Sequence, residues 1–277
     1  MTVAATIENY DISATGTAKL NITGNALANN LVGNDVSNVL NGGAGADTLP
    51  GGLGDDIYTV DNASDQLFEQ ADQGTDLVNT SVSFNLLTNG ADVENITLTG
   101  AAAINAIGNN SNNVITGNSA INTLRGNDGS DTLLGLGGND TIYGGFGDDL
   151  IRGGAGNDTL TGDVGADTFW FDTATSATTN KDIITDFVSG TDKLQFSQSV
   201  LAALGATGQF AADDQRFWSS NTGLAHDATD CLIYNTTTGA LSYDTNGSAT
   251  GGAVIIELLG AALGVTAVLA ATDIFVV

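Results

Sequence analysis

A nine-residue repeat runs without interruption through the middle of the chain. In each unit the first position is glycine and the eighth is apolar. Residues 108–170 divide in this frame into GNNSNNVIT, GNSAINTLR, GNDGSDTLL, GLGGNDTIY, GGFGDDLIR, GGAGNDTLT and GDVGADTFW. A shorter array at residues 24–59 reads GNALANNLV, GNDVSNVLN, GGAGADTLP and GGLGDDIYT. A period this short stacks one small structural unit on the next, which predicts a solenoid.

Each unit combines a tight turn with a short strand. Glycine in the first half of the unit permits sharp turns and close backbone approach. The last three positions form a strand whose middle residue points inward, because side chains alternate along a strand. Two units, or 18 residues, complete one coil, and successive coils stack about 4.8 Å apart. The predicted fold class is all-β: a parallel β-roll or β-helix solenoid with a mixed, mainly β capping region at the C-terminus.

The sixth position of the unit is asparagine or aspartate throughout. These residues are Asn29, Asn38, Asp47 and Asp56 in the first array, and Asn113, Asn122, Asp131, Asp140, Asp149, Asp158 and Asp167 in the second. Stacking places sixth positions 18 residues apart above one another, alternately on the two edges of the coil. Two bare carboxylates about 4.8 Å apart repel by about 1 kcal/mol in water and by more in a poorly solvated groove. The aspartate ladders therefore predict bound cations.

The charge balance and the ligand types indicate which cation. The chain has 32 acidic and six basic residues, a net charge of −26, which disfavours nucleic acid as a partner. Carboxylates and loop carbonyls are oxygen ligands, which favours calcium over zinc and suits magnesium less well. For the asparagine units Asn29, Asn38, Asn113 and Asn122, the alternative that the side chain only bonds the turn is preferred.

The repeats resemble the RTX (hemolysin-type calcium-binding) repeats of bacterial proteins exported by type I secretion. Three later segments also resemble the C-terminal region of that family: DIITDFVSGTDKLQF at 182–196, LIYNTTTGALSYDTNGSATGG at 232–252, and the final TDIFVV. The resemblance implies a β-roll that binds several calcium ions. It also implies a C-terminal end that the type I secretion machinery recognises.

The family pattern implies a ligand set when it is carried over position by position. Each calcium ion lies between two turns 18 residues apart, and each turn contributes one aspartate and two carbonyls. The implied sites are Gly145, Gly147 and Asp149 with Gly162, Val164 and Asp167; Leu136, Gly138 and Asp140 with Gly153, Ala155 and Asp158; Asn127, Gly129 and Asp131 with Gly144, Phe146 and Asp149; and Gly43, Gly45 and Asp47 with Val60, Asn62 and Asp65. Asp56 faces Asn38, a pair that lacks one carboxylate.

Four regions follow from these patterns. We predict a degenerate first array at 1–60, a β-rich spacer continuing the solenoid at 61–107, the main calcium-binding roll at 108–171, and a cap with the secretion signal at 172–277. In the cap, strands are expected near 182–187, 231–235, 241–244 and 253–259, and helical stretches near 198–205 and 261–271. Residues 253–272 are long enough to span a bilayer, but Glu257 and two glycines interrupt them, so no membrane insertion is expected.

The predicted function is a calcium-binding module that folds after type I secretion and serves the export, folding and stability of a larger extracellular protein. Because the chain begins within a repeat, we expect a missing N-terminal cargo domain. The alternatives are a calcium-dependent surface, S-layer or adhesin scaffold, and an accessory module of a carbohydrate-active enzyme. We expect no enzyme activity, since H-E-x-x-H, G-x-S-x-G and P-loop motifs are absent from the sequence.

Overall fold

The computed structural model describes residues 1–2, 4, 6–174, 176, 178–245, 253–259 and 268–277. These residues form two compact units, Met1–Thr132 and Leu133–Val277. Both units are built from short β-strands, and the one α-helix of the described residues is the single turn α1, Leu86–Asn89. The strands pair mainly in parallel, which confirms the all-β solenoid with a mixed sheet towards the C-terminus.

The first unit alternates its strands between sheets. The strands are β1 Asn9–Asp11, β2 Asn21–Thr23, β3 Asn30–Val32, β4 Val39–Asn41, β5 Thr48–Pro50, β6 Ile57–Val60, β7 Gln66–Phe68, β8 Leu77–Thr80, β9 Phe84–Asn85, β10 Asn95–Leu98, β11 Ala106–Ile107, β12 Val114–Thr116 and β13 Thr123–Asp128. Even-numbered strands pair in the order β2-β4-β6-β8-β10-β12, and odd-numbered strands form β1-β3-β5-β7 and β9-β11-β13. Within each of these sheets a strand pairs with the second strand after it, because one coil contributes two strands, and the odd-numbered series is divided between β7 and β9.

The interior of the first unit is a column of apolar side chains. Leu40 lies opposite Tyr58, and Tyr58 lies opposite Val78, in parallel register. The buried residues at the middle of the strands are Ile22, Leu31, Leu40, Leu49, Tyr58, Leu67, Val78, Ile96, Ala106, Ile115 and Leu124. Residues 61–107 lack the strict period, yet they supply strands to the same parallel sheets, so the coil continues through them.

The second compact unit begins with coils of the same kind and ends in a mixed sheet. Its strands, counted from the unit boundary, are β14 Thr132–Leu134, β15 Thr141–Phe146, β16 Leu150–Arg152, β17 Thr159–Val164, β18 Thr168–Phe171, β19 Asp182–Ile184, β20 Lys193–Phe196, β21 Gly208–Gln209, β22 Phe217–Ser220, β23 Leu232–Asn235, β24 Ala240–Asp244, β25 Ala253–Leu259 and β26 Ile274–Val276. Within the unit they pair as β14-β16-β18-β20-β26-β21 and as β15-β17-β19-β25-β24-β23-β22.

Parallel stacking extends beyond the last nonapeptide. β19 lies on β17, with Leu160 opposite Ile184, and β20 lies on β18, with Phe169 opposite Leu194. The loops before β19 and β20 are longer than in the repeats, and the strands that follow them keep the parallel register. The C-terminal strand β26 then pairs in parallel with β20. The sheet therefore carries the coil geometry into the region where the sequence period is lost.

The predicted helices of the cap differ from the structure. The stretch expected near 198–205 contains only a 3-10 turn, Ala202–Leu204, which ends at Gly205 with a φ of +71°. A segment this short, held between two strands, does not reach the length at which an α-helix becomes stable. Residues 261–267 of the second predicted helix lie outside the described residues, residues 268–270 are not helical, and Ala271 begins the 3-10 turn Ala271–Asp273. Within the described residues, no helix is both apolar and long enough to cross a membrane.

Candidate metal centres

The sixth-position side chains form hydrogen-bonded ladders along the coil edges. In the second unit the Asp140 amide donates to Asp158 Oδ1 at 2.8 Å, and the Asp149 amide donates to Asp167 Oδ1 at 3.0 Å. Each carboxylate therefore accepts from the backbone one coil earlier. The geometry stacks residues 18 apart in sequence, as the period predicts.

The same ladders run through the first unit. On one edge the Asn29 amide donates to Asp47 Oδ1 at 2.7 Å, and the Asp47 amide donates to Asp65 Oδ1 at 2.9 Å. On the other edge the Asn38 amide donates to Asp56 Oδ1 at 2.6 Å, and the Asp56 amide to Asp76 Oδ1 at 2.7 Å. Asp56 thus faces a carboxylate on its C-terminal side as well as Asn38 on its N-terminal side.

The second oxygen of several ladder carboxylates is buried and has no hydrogen-bond partner. This holds for Oδ2 of Asp47, Asp56, Asp65 and Asp158, whose side chains are at most 1% exposed. A buried carboxylate oxygen without a donor is costly, and a bound cation satisfies it. The ladder residues present therefore fit a hard, oxygen-preferring cation such as calcium.

The first-position glycines are required by this arrangement. A Cβ at Gly42 would overlap Asp47 Oδ2, and a Cβ at Gly153 would overlap Asp158 Oδ2. The aspartate side chain folds back over the turn of its own unit, so any other residue there would displace the carboxylate. The repeat of glycine and the repeat of aspartate are therefore one structural feature.

Burial strongly raises the pKa of the ladder carboxylates. Loss of solvation raises the pKa of Asp158 to about 6 and that of Asp167 to about 7, although a backbone amide lowers each one. In the first unit, burial raises the pKa of Asp65 to about 6 and that of Asp56 to about 7. The metal-free fold therefore resists ionisation of these groups near neutral pH.

Three of the carbonyls implied as ligands take part in hydrogen bonds between coils. The Ala155 amide donates to the Leu136 carbonyl at 2.8 Å, and the Gly138 amide donates to the Ala155 carbonyl at 2.9 Å. The Gly147 amide donates to the Val164 carbonyl at 2.8 Å. Each carbonyl has a second lone pair for a metal, so the implied carbonyl ligands remain predictions.

Several implied ligands lie at the ends of strands, where the repeat pattern predicted turns, because three strands extend into the first positions of the next repeat. These ligands are Asn127 in β13, Gly144, Gly145 and Phe146 in β15, and Gly162 and Val164 in β17. Asp131 Oδ1 accepts from the Asn113 amide at 2.6 Å. Asn127 and Leu136 adopt positive φ angles of 86° and 72°, as turn residues do at positions normally taken by glycine. The site implied between Asp131 and Asp149 would combine a residue of Met1–Thr132 with a residue of Leu133–Val277, and it remains a prediction.

The asparagine units have a donor amide at the place where Asp47, Asp56, Asp65 and Asp158 have an oxygen without a partner. Asn38 Nδ2 donates to the Leu20 carbonyl at 2.9 Å, and Asn113 Nδ2 donates to the Glu94 carbonyl at 3.0 Å. Asn122 Nδ2 donates to the Ile104 carbonyl at 2.6 Å. A neutral donor thus links these coils directly, which supports the turn-bonding hypothesis for the asparagine units.

The ladders include acidic residues outside the nonapeptide frame. The Asp158 amide donates to Asp182 Oδ1 at 3.0 Å, and the Asp167 amide donates to Asp192 Oδ1 at 3.1 Å. In the first unit the Asp76 amide donates to Glu94 Oε2 at 2.7 Å. These residues were not predicted as ligands from the sequence, because longer loops shift them out of the nine-residue frame. The segment DIITDFVSGTDKLQF contained the signal, since its acids recur one coil after the last repeats.

The chain's single histidine belongs to a different acidic cluster. His226, Asp227 and Asp230 lie together, and the ring of Trp218 stacks on His226 with centroids 4.6 Å apart. Asp230 is buried, and its Oδ2 accepts from the amides of His226 and Asp227. The backbone of its own loop therefore satisfies the buried carboxylate, so this cluster lacks the bare oxygen seen in the ladders.

Comparisons with known proteins agree with the repeat geometry. A family model described as the RTX calcium-binding nonapeptide repeat, in four copies, matches residues 23–67, 107–142 and 134–169. The chain is also similar to the solution structure of the AlgE6R3 subunit from the Azotobacter vinelandii mannuronan C5-epimerase, at 24% identity over 64% of this chain and 84% of that chain, with a TM-score of 0.25. At that TM-score the likeness supports no conclusion. A comparison with curated proteins found no match. The chain carries RTX calcium-binding nonapeptide repeats that form a β-roll, and these repeats imply calcium as the bound ion.

Proposed function

We propose that the chain is a calcium-dependent folding module of a secreted protein and has no catalytic centre of its own. The observation that supports this proposal is the set of buried aspartate oxygens without hydrogen-bond partners, at Asp47, Asp56, Asp65 and Asp158. Without a cation each of these groups opposes folding. With a cation between successive coils, the same groups stabilise the fold.

Calcium binding is coupled to folding because the ligands meet only when the coils are stacked. Asp140 and Asp158 are 18 residues apart and come together only in the roll. An ion that binds only the folded chain stabilises it by about 2.7 kcal/mol when its concentration is 100 times its dissociation constant. Several ions bound along the ladders therefore act together as a folding switch.

A calcium titration followed by circular dichroism tests this switch. The wild-type chain should gain β-structure with calcium and much less with equimolar magnesium. The variant with Asp140, Asp149 and Asp158 changed to Ala should lose most of the response. The control Asp213→Ala, at an exposed position of the same compact unit, Leu133–Val277, should respond like wild type. A full complement of β-structure without calcium, or an unchanged response in the triple variant, would contradict the proposal.

We further propose that the module acts after type I secretion, outside the cell. The resemblance of residues 182–196, 232–252 and the final TDIFVV to the family's C-terminal region supports this part of the proposal. In the folded chain Ile274 and Val276 are buried, and Asp273 accepts hydrogen bonds from Ser189 Oγ at 2.6 Å and the Gly190 amide at 3.0 Å. An exporter could therefore engage this end only while the chain is unfolded.

Co-expression with a type I exporter tests the secretion part. The full chain should appear in the medium, and a chain lacking residues 272–277 should remain in the cell. The same truncated chain, supplied with calcium after purification, reports whether the loss lies in export or in folding. Equal export of both chains would remove the support for a C-terminal signal.

A further inference from the structure

A second kind of carboxylate cluster lies on one edge of the first unit. Asp56, Glu69 and Asp76 each present an oxygen, and these oxygens all lie within 4.8 Å of one another. Asp56 is a sixth-position residue, and Asp76 continues its ladder 20 residues later instead of 18. Glu69 follows strand β7 and belongs to the irregular loop that causes the difference.

The cluster has bare oxygens that point to a ligand. Asp56 is 1% exposed, and its Oδ2 has no hydrogen-bond partner. The Oε2 of Glu69 is likewise buried and without a partner. Among the residues that the structure describes, none of the three carboxylates forms an ion pair with lysine or arginine. Three acids brought this close need a positive charge or protons to remain together.

Tyr58 holds Glu69 in place. At the inward-facing eighth position, where the other units of the two arrays carry leucine, isoleucine or phenylalanine, this unit carries tyrosine. Its ring is fully buried in the core column, and its hydroxyl donates to Glu69 Oε1. The hydroxyl of Tyr58 therefore fixes the orientation of the Glu69 side chain. The other oxygen of Glu69, Oε2, remains without a hydrogen-bond partner.

The floor of the cluster is a glycine turn with no room for a side chain. A Cβ at Gly51 would overlap the Tyr58 hydroxyl, Asp56 Oδ2 and Glu69 Oε1 at once. The cluster is therefore a compact, poorly solvated pocket lined by oxygen atoms.

We propose that Asp56, Glu69 and Asp76 form a calcium site distinct from the nonapeptide sites, with Glu69 as a third carboxylate supplied from outside the repeat. Calcium accepts six to eight oxygens in irregular geometry, whereas magnesium requires a regular octahedron and retains water. Glu69 gives this site one more carboxylate ligand than a site made from two aspartates. The inference rests on the proposed function in taking calcium as the ion.

Counting bound calcium by native mass spectrometry on the full chain tests this site. Glu69→Gln should hold one ion fewer than wild type at limiting calcium, with the affinity of that site lowered by more than about tenfold. Glu8→Gln, at an exposed position of the same unit, should match wild type. If Glu69→Gln and Glu8→Gln hold the same number of ions with the same affinity, the three-carboxylate site is wrong. If wild type binds no calcium, it is the proposed function that fails.

Terbium luminescence gives a second readout that does not depend on the folding of the glutamate variant. Terbium replaces calcium and is excited by energy transfer from a nearby tyrosine, and Tyr58 adjoins this site. Tyr58→Phe should retain the calcium count of wild type and lose a measurable share of the tyrosine-excited emission. Unchanged emission in Tyr58→Phe would overturn the inference, because no terbium ion would then lie beside Tyr58.

Discussion

Asp158 and Asn122 differ by one side-chain atom, and that atom changes how successive coils are linked. Both occupy the sixth position, and both are buried. The Asn122 amide nitrogen donates to the Ile104 carbonyl at 2.6 Å, whereas Asp158 Oδ2 has no donor. Aspartate and asparagine are nearly equal in shape, so the difference is electrostatic. The residue type at this position therefore distinguishes coils that an amide links directly from coils for which we propose a bound cation.

Replacing Asp158 by asparagine should separate these two effects. The new Oδ1 still accepts from the Asp140 amide, while the charged oxygen without a donor is removed. We expect Asp158→Asn to stabilise the metal-free chain by about 1–3 kcal/mol and to reduce the rise in Tm that calcium causes. Differential scanning calorimetry with and without calcium measures both quantities. Asp213→Asn, which changes an exposed acid in the same unit, is the control, and a metal-free chain destabilised by Asp158→Asn would contradict the explanation.

At the scale of the elements, the strand order follows from two units making one coil. β15 pairs with β17, and β16 pairs with β18, so alternate strands belong to different sheets. The sheet to which a strand belongs is set by the number of half-coils between it and its neighbours. A longer connection, such as the one before β19, leaves that alternation unchanged, since β19 still pairs in parallel with β17.

Deletions of one and two units test this count. Removing residues 144–161 deletes two whole units and returns each later strand to its own sheet, so we expect a folded but less stable chain. Removing residues 144–152 deletes one unit and moves every later strand to the opposite sheet, so we expect loss of protease-resistant structure in calcium. Limited proteolysis and circular dichroism compare the two variants. Equal protection of both deletions would show that the alternation is not required.

At the scale of the whole molecule, the buried carboxylates link stability to pH in opposite directions with and without calcium. Burial raises the pKa of Asp158 to about 6 and that of Asp167 to about 7, above the ordinary value near 4. In the metal-free chain the folded state therefore binds protons more tightly than the unfolded state. The resulting stability is fully present below about pH 4 and is lost as the pH rises through about 6 to 7.

Acid should therefore partly substitute for calcium. In a chelator, we expect the chain to contain more β-structure and to melt at a higher temperature at about pH 4.5 than at about pH 7.5. With saturating calcium the order should reverse, because protons displace the metal from its carboxylates. Thermal melts at both pH values, with and without calcium, test the sign. A metal-free chain that is more stable at the higher pH would contradict the role assigned to these carboxylates.

The period in the sequence by itself determined the strand spacing, the buried eighth position and the stacking of sixth positions 18 residues apart. It could do so because every unit repeats the same local environment, so the position in the frame sets what a residue contacts. Only the tertiary structure placed Glu69 beside Asp56 and Asp76, extended the ladders to Asp182 and Asp192, and buried the C-terminal strand against β20. Those contacts depend on where loops of irregular length return to the stacked coils. The point at which an irregular loop rejoins the coils is not encoded at any position of the nine-residue repeat. It is set by the register of the sheets.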